Sequence, residues 1–174
     1  MIEKMNYDAL RLFDEKLAEP NFLEAKKELE RLEEEFYQNP YLLEARGRLF
    51  LKQEKNELAV ECYRKALGEI NNTRTLRKDI LFRLYIDCSA AYNRQGDEKR
   101  AAAYLIKGLE LDEEHFLMRF NLAVLQLNSG KEFEAAKNFE KCTVLNEKSM
   151  ESWYNFGLSL LKVRRFESAI AAFT

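Results

Sequence analysis

Side chains able to do covalent or metal chemistry are few in this sequence. The cysteines are Cys62, Cys88 and Cys142, and His115 is the one histidine. An odd number of cysteines at wide spacing offers neither a disulfide framework nor a CxxC metal pair. A nucleophilic thiol needs a base within reach, and no histidine lies near Cys62 in the chain. Cys88 and Cys142 fall on apolar stripes, where a thiol acts as a small core hydrophobe. Cys62 falls at a more exposed position, and His115 in a turn, where a surface role is expected. No GxGxxG and no GxxxxGK followed by Ser or Thr is present to cradle a phosphate. The carboxylates lie among lysines at helical spacing, where i,i+4 pairing accounts for them. No catalytic residue, metal ligand or cofactor is therefore expected, and the chain reads as non-enzymatic.

Composition narrows the partners. Of 174 residues, 47% are hydrophobic and 33% charged, with six Gly and two Pro, which suits a helix-rich protein with few breakers. A net charge of −2 and a pI near 5.7 argue against a nucleic-acid grip, which needs a basic surface to neutralise phosphates. No apolar run approaches the ~20 residues that span a bilayer. The opening MIEKMNYDALRLF lacks a basic segment followed by a long apolar one. A cytoplasmic protein without direct membrane insertion is the default expectation, a removed leader being left open.

The elements that must position any binding residue come from a repeat. At steps of 34 residues, Asn155 lands on Asn121 and Asp87, Gly157 on Ala123 and Ser89, Ala169 on Ala135 and Ala101, and Phe173 on Phe139 and Leu105. Gly130 lands on Gly96. Repeats at 82–115, 116–149 and 150–174 thus share one register, with small residues on small and large apolar residues on large. A constant period of this size marks stacked helical repeats. An earlier copy, 40–73, is offset by the eight residues Arg74 to Leu81, read as a longer first helix in repeat 2, from about 74.

Each repeat reads as two helices. Tyr85, Cys88, Ser89 and Tyr92 form one helical stripe. Gly96 supplies a left-handed stop and Asp97 caps the next helix. Asn39-Pro40 places a cap and a first-turn proline at the start of repeat 1. Residues 1–39 form a looser helix pair or cap, with Phe22, Ala25, Leu29 and Leu32 on one stripe and Asn21 with Glu24 as a capping box. Its eleven acidic against six basic residues read as a solvated outer face, with docking of a basic partner as the other reading.

The pattern resembles the tetratricopeptide repeat (TPR), whose signature is W-x2-L-G-x2-Y, then A-x3-F. Trp153-x2-Phe156-Gly157-x2-Leu160 followed by Ala169-x3-Phe173 matches it closely, and the resemblance covers 40–174. Departures are Arg46 at a usual leucine, Arg119 at the tryptophan and Gln126 at the tyrosine. The resemblance implies an all-α fold, a right-handed superhelical α-solenoid of antiparallel helix pairs, acting as a protein-interaction scaffold or adaptor.

It also implies a concave groove lined by first helices. The groove residues are Leu117, Phe120, Asn121, Val124 and Leu127 in repeat 3, and Tyr154, Asn155, Leu158 and Leu161 in repeat 4. Repeat 1 places Tyr41, Glu44, Arg48, Leu51 and Lys52 at groove positions, and repeat 2 places Arg83, Ile86, Ala90, Asn93 and Arg94 there. The carboxylate clamp of chaperone-binding relatives is matched at only one of five places, since Ile86, Ala90, Asn121, Glu151 and Asn155 stand there. The apolar strip fits an amphipathic helix or an apolar-anchored extended segment. Packing between adjacent first helices, or filling of the groove by this chain's own continuation, would also account for it. The apolar Phe166, Ile170 and Phe173 leave repeat 4 without a polar cap, which reads as a fragment of a longer array or, as an alternative function, as a homo-oligomerisation surface. A regulatory segment of a larger protein is a further alternative.

Overall fold

The computed structural model describes residues 7–19, 22–36, 39–72 and 78–174. Ten α-helices and no strand are found among them. In chain order they are α1 (Tyr7–Leu17), α2 (Leu23–Glu35), α3 (Pro40–Lys52), α4 (Asn56–Asn72), α5 (Lys78–Arg94), α6 (Glu98–Leu111), α7 (Phe116–Asn128), α8 (Glu132–Leu145), α9 (Met150–Lys162) and α10 (Phe166–Phe173). The chain divides into an N-terminal block, Met1–Gly96, and a C-terminal block, Asp97–Thr174. The fold is all-α. In the N-terminal block α3 packs on α1, α2, α4 and α5; in the C-terminal block α9 packs on α7, α8 and α10.

Helices α4 and α5 account for the break in register. Helix α4 has 17 residues where α6 and α8 have 14, and α5 has 17 where α3, α7 and α9 have 13. Residues 73–77, at the start of the expected extension, lie outside the described residues.

Within every repeat the first helix stops at one register position with a left-handed residue. These are Glu54 (φ 61°), Gly96 (φ 76°), Gly130 (φ 71°) and Arg164 (φ 61°). In repeats 1, 3 and 4 the next amide bonds back to a carbonyl five residues earlier: Lys55 to Phe50 at 2.9 Å, Lys131 to Gln126 at 2.8 Å and Arg165 to Leu160 at 2.9 Å. Carbonyls that would otherwise be orphaned at the helix end are satisfied this way.

Helix starts follow side-chain chemistry. Asn39 Oδ1 accepts from the Tyr41 amide at 3.0 Å, and Asp97 Oδ1 from Arg100 at 2.9 Å, as expected of both caps. Ser149 caps α9 through the Ser152 amide. His115 caps α7, its Nδ1 accepting from Met118 at 3.4 Å, and it is half-buried. Asn21 lies outside the described residues, and Phe22 holds the cap position of α2 without a side-chain bond.

In repeats 1, 3 and 4 the two helices meet through a small residue on the first and a large one on the second. A Cβ on Gly47 would clash with ring atoms of Tyr63, and one on Gly157 would lie 2.6 Å from ring atoms of Phe173. In repeat 3 the pair is Ala123 and Phe139, both fully buried in a cluster with Leu127 and Ala135. The N-terminal core gathers Phe13, Leu32, Ala45, Tyr63, Ile80, Leu84 and Cys88. Cys88 and Cys142 are fully buried, as their stripes imply. Cys62 corrects the sequence reading: it is also buried, with 8% of its surface exposed, and no disulfide joins the three cysteines. Arg46, at the leucine position, forms an ion pair with Glu33 of α2.

Candidate binding surface

The groove-register residues of the C-terminal block divide by what covers them. Leu127 belongs to the core, 8% exposed, in contact with Ala123, Ala135 and Phe139. Phe120, Val124 and Leu158 are half-buried against that same cluster. The Phe120 ring meets Phe139 edge-on at 5.6 Å and stacks on Phe116 at 6.0 Å. Packing within the array thus accounts for much of this part of the strip.

The remainder faces water. Leu117 on α7 is 47% exposed, and Tyr154 and Leu161 on α9 are 61% and 40% exposed. Tyr154 and Leu161 stand seven residues apart, two helical turns, and so share one face of α9. Tyr154 also touches the Phe173 ring of α10, with centroids 6.0 Å apart. Asn121 and Asn155 are half-buried. The Asn155 side-chain amide donates to the Glu151 carbonyl at 2.8 Å.

Sequence reasoning passed over part of this surface. Met150 is 84% exposed, and together with Trp153, Tyr154 and Phe173 it lines a cleft of about 470 Å³ closed by Ala171, Ala172 and Thr174. Helical periodicity assigns apolar residues to a buried stripe, so an outward methionine beside an outward tyrosine gives no distinct signal. Phe166 and Ile170 of α10 are also exposed. Among the described residues, no group of three or more His, Cys, Asp or Glu is placed to hold a metal ion. No helix there is long and apolar enough to cross a membrane.

The helix-pair geometry and the small-to-large contacts at Gly47–Tyr63 and Gly157–Phe173 accord with comparison to known families. Models described as tetratricopeptide repeat match residues 10–72 and 82–115, together more than half of the chain. The chain belongs to the TPR family. TPR domains are protein-interaction scaffolds and are generally non-catalytic.

Solved TPR solenoid structures share the fold. MamA from Desulfovibrio magneticus superposes with a TM-score of 0.75 at 14% identity, covering 97% of this chain and 93% of that one. PilF of Pseudomonas aeruginosa gives 0.78 at 22% identity, covering 95% and 73%. YrrB, described as a TPR protein with an unusual peptide-binding site, gives 0.67 at 18% identity, covering 95% and 81%. No relative is found among curated protein sequences.

Proposed function

We propose that this TPR chain is a non-catalytic adaptor whose C-terminal block binds an amphipathic helix or an apolar-anchored extended segment of another protein along α7 and α9. The observation that carries this reading is the outward apolar set Leu117, Tyr154 and Leu161, bordered by half-buried Phe120, Val124 and Leu158. Covering an exposed leucine or aromatic side chain recovers about 1.5–3 kcal/mol each when burial is complete. Asn121 and Asn155 beside them supply amide groups suited to a peptide backbone. A Tyr and Leu pair two turns apart suits a ligand with apolar residues at i, i+3 or i+4, and i+7.

Selection of displayed peptides against the intact chain tests this. Recovered sequences should carry that spacing. Their binding should be lost in Tyr154→Lys/Leu161→Lys while helical content and melting temperature stay at wild-type values. Peptides that bind wild type and variant alike would overturn the reading. A substitution at Phe120 is a poorer probe, because its ring rests on Phe139.

The exposed Met150, Phe166 and Ile170 favour a second reading, self-association through the C-terminal end. A concentration-dependent mass in light scattering that vanishes with Ile170→Glu supports it, and a constant monomer mass excludes it.

A further inference from the structure

The N-terminal block contains a cluster of charge that ligand binding along α7 and α9 does not use. Glu44 of α3 is completely buried. A carboxylate survives in such a place only when paired. Arg83 Nη2 of α5 donates to both of its oxygens, at 2.9 and 3.0 Å. Arg48 Nε lies 2.9 Å from Glu44 Oε1 as an ion pair without hydrogen-bond geometry, and Arg48 Nη2 reaches Asp14 of α1 at 2.5 Å.

Asp87 lies one turn along α5 from Arg83, whose guanidinium holds Glu44, so the Asp87 carboxyl enters the same buried cluster beside Glu44. Two ionised carboxylates have no hydrogen to share, because each can only accept. The Asp87 Oδ2 atom is buried and meets no donor, and the buried hydroxyl of Tyr63, on α4, has no partner. A buried carboxyl oxygen without a donor disfavours the ionised form of Asp87.

We propose that Glu44 and Asp87 share a single proton where α3 packs on α5, and that its release is a pH-sensitive switch that loosens this packing. The proton rests on Asp87, because the guanidinium groups of Arg83 and Arg48 face Glu44. Burial, and then the charge of Glu44, push the Asp87 carboxyl up to about 7, with Arg48 and Arg83 pulling the other way. The groups facing the pair are Asp14 from α1, Arg48 from α3, Tyr63 from α4, and Arg83 and Cys88 from α5 itself. With the proton in place, Asp14 and Glu44 balance Arg48 and Arg83. Without it, one negative charge is left over inside the block.

The direction follows from linkage. Asp87 binds its proton more tightly in the folded chain than at its ordinary value of 3.8. Its contribution is therefore most favourable below that value, declines as pH rises through about 7, and is constant above.

Carbon-13 titration of aspartate side-chain carboxyls in the intact chain gives a direct test. The Asp87 resonance should titrate with a midpoint near 7 and move down by about one unit or more in Glu44→Gln. Asp87→Asn replaces the shared proton with an amide that donates to Glu44 permanently. Its melting temperature relative to wild type should rise by about 3 °C or more between pH 5 and pH 8. A midpoint below about 5 in the wild-type chain overturns the proposal. So does a melting difference that is the same at both pH values. Should either variant fail to fold, the wild-type titration decides by itself.

Discussion

Arg119 and Trp153 occupy the same position of consecutive repeats and donate to equivalent carbonyls. The Arg119 guanidinium donates to the Glu113 carbonyl, and the Trp153 indole Nε1–H to the Glu147 carbonyl at 2.9 Å. The arginine therefore performs the tryptophan's anchoring bond, and it does more. Its Nη1 donates to Asn138 Oδ1 at 3.0 Å, and Asn138 Nδ2 donates to Gln126 Oε1 at 2.8 Å. The two departures of repeat 3 from the TPR signature, Arg119 and Gln126, are joined through one asparagine.

Asn138→Ala breaks that chain and leaves a 9%-exposed arginine short of an acceptor. Urea unfolding should show a loss of about 1–3 kcal/mol. Wild-type stability would mean that water replaces the amide without cost.

The left-handed stop gives a stabilising prediction. Glu54 and Arg164 hold φ of 61° where repeats 2 and 3 have glycine. A side chain in this conformation costs about 1–2 kcal/mol, part of which glycine returns as extra freedom of the unfolded chain. Glu54→Gly and Arg164→Gly should each raise the unfolding free energy by about 0.5–1 kcal/mol in denaturant titration.

Glycine to alanine at three other helix positions should give three different results. Gly47 faces the Tyr63 ring, which is fully buried and has nowhere to move, so Gly47→Ala should cost about 1–3 kcal/mol or more. Gly157 faces Phe173, which is 47% exposed and can swing outward, so the loss there should be smaller. Gly68 in α4 has nothing within 4 Å of a new Cβ, and Gly68→Ala should stabilise by about 0.5–1 kcal/mol. Thermal melts of the three variants check the order.

All three thiols should resist alkylation in the folded chain at neutral pH and react in denaturant. Burial pushes the Cys62 thiol up, and the Cys142 thiol up to about 11, while Cys88 has no exposed surface. Fast labelling of Cys62 alone would mean that α4 opens readily.

Glu28 should show the opposite pH dependence to Asp87. Arg31 Nη2 holds its carboxylate at 2.6 Å, and this bond sets its pKa below the usual 4.5 despite opposing burial. Its contribution is present above that value and is lost as pH falls below it. The deficit of Glu28→Gln against wild type should therefore be seen at pH 7 and shrink on acidification, as read by melting temperature.

The helix pairs and the left-handed stop at Gly96 were legible in the residues, because each rests on contacts within one repeat, whereas the stops at Glu54 and Arg164 carry no glycine to announce them. Gly157 meets Phe173 inside a single helix pair, and that local constraint recurs at a fixed spacing. Exposure along the groove register was not legible. Leu127 and Leu161 are register equivalents, yet one is 8% and the other 40% exposed. The difference lies in what covers them: Phe156 and Leu158 of α9 pack against the Leu127 cluster. Cys62 was misplaced for the same reason, since its burial depends on neighbours from outside its own helix.

By itself the sequence determined an all-α chain of TPR helix pairs, since apolar periodicity and turn chemistry act over a few residues and repeat. Only the tertiary structure decided which carboxyl meets which. Glu44 and Asp87 are 43 positions apart, and nothing near either residue announces the other. Their contact exists because α3 and α5 pack side by side. Burial there removes the water that would otherwise favour the ionised form of Asp87.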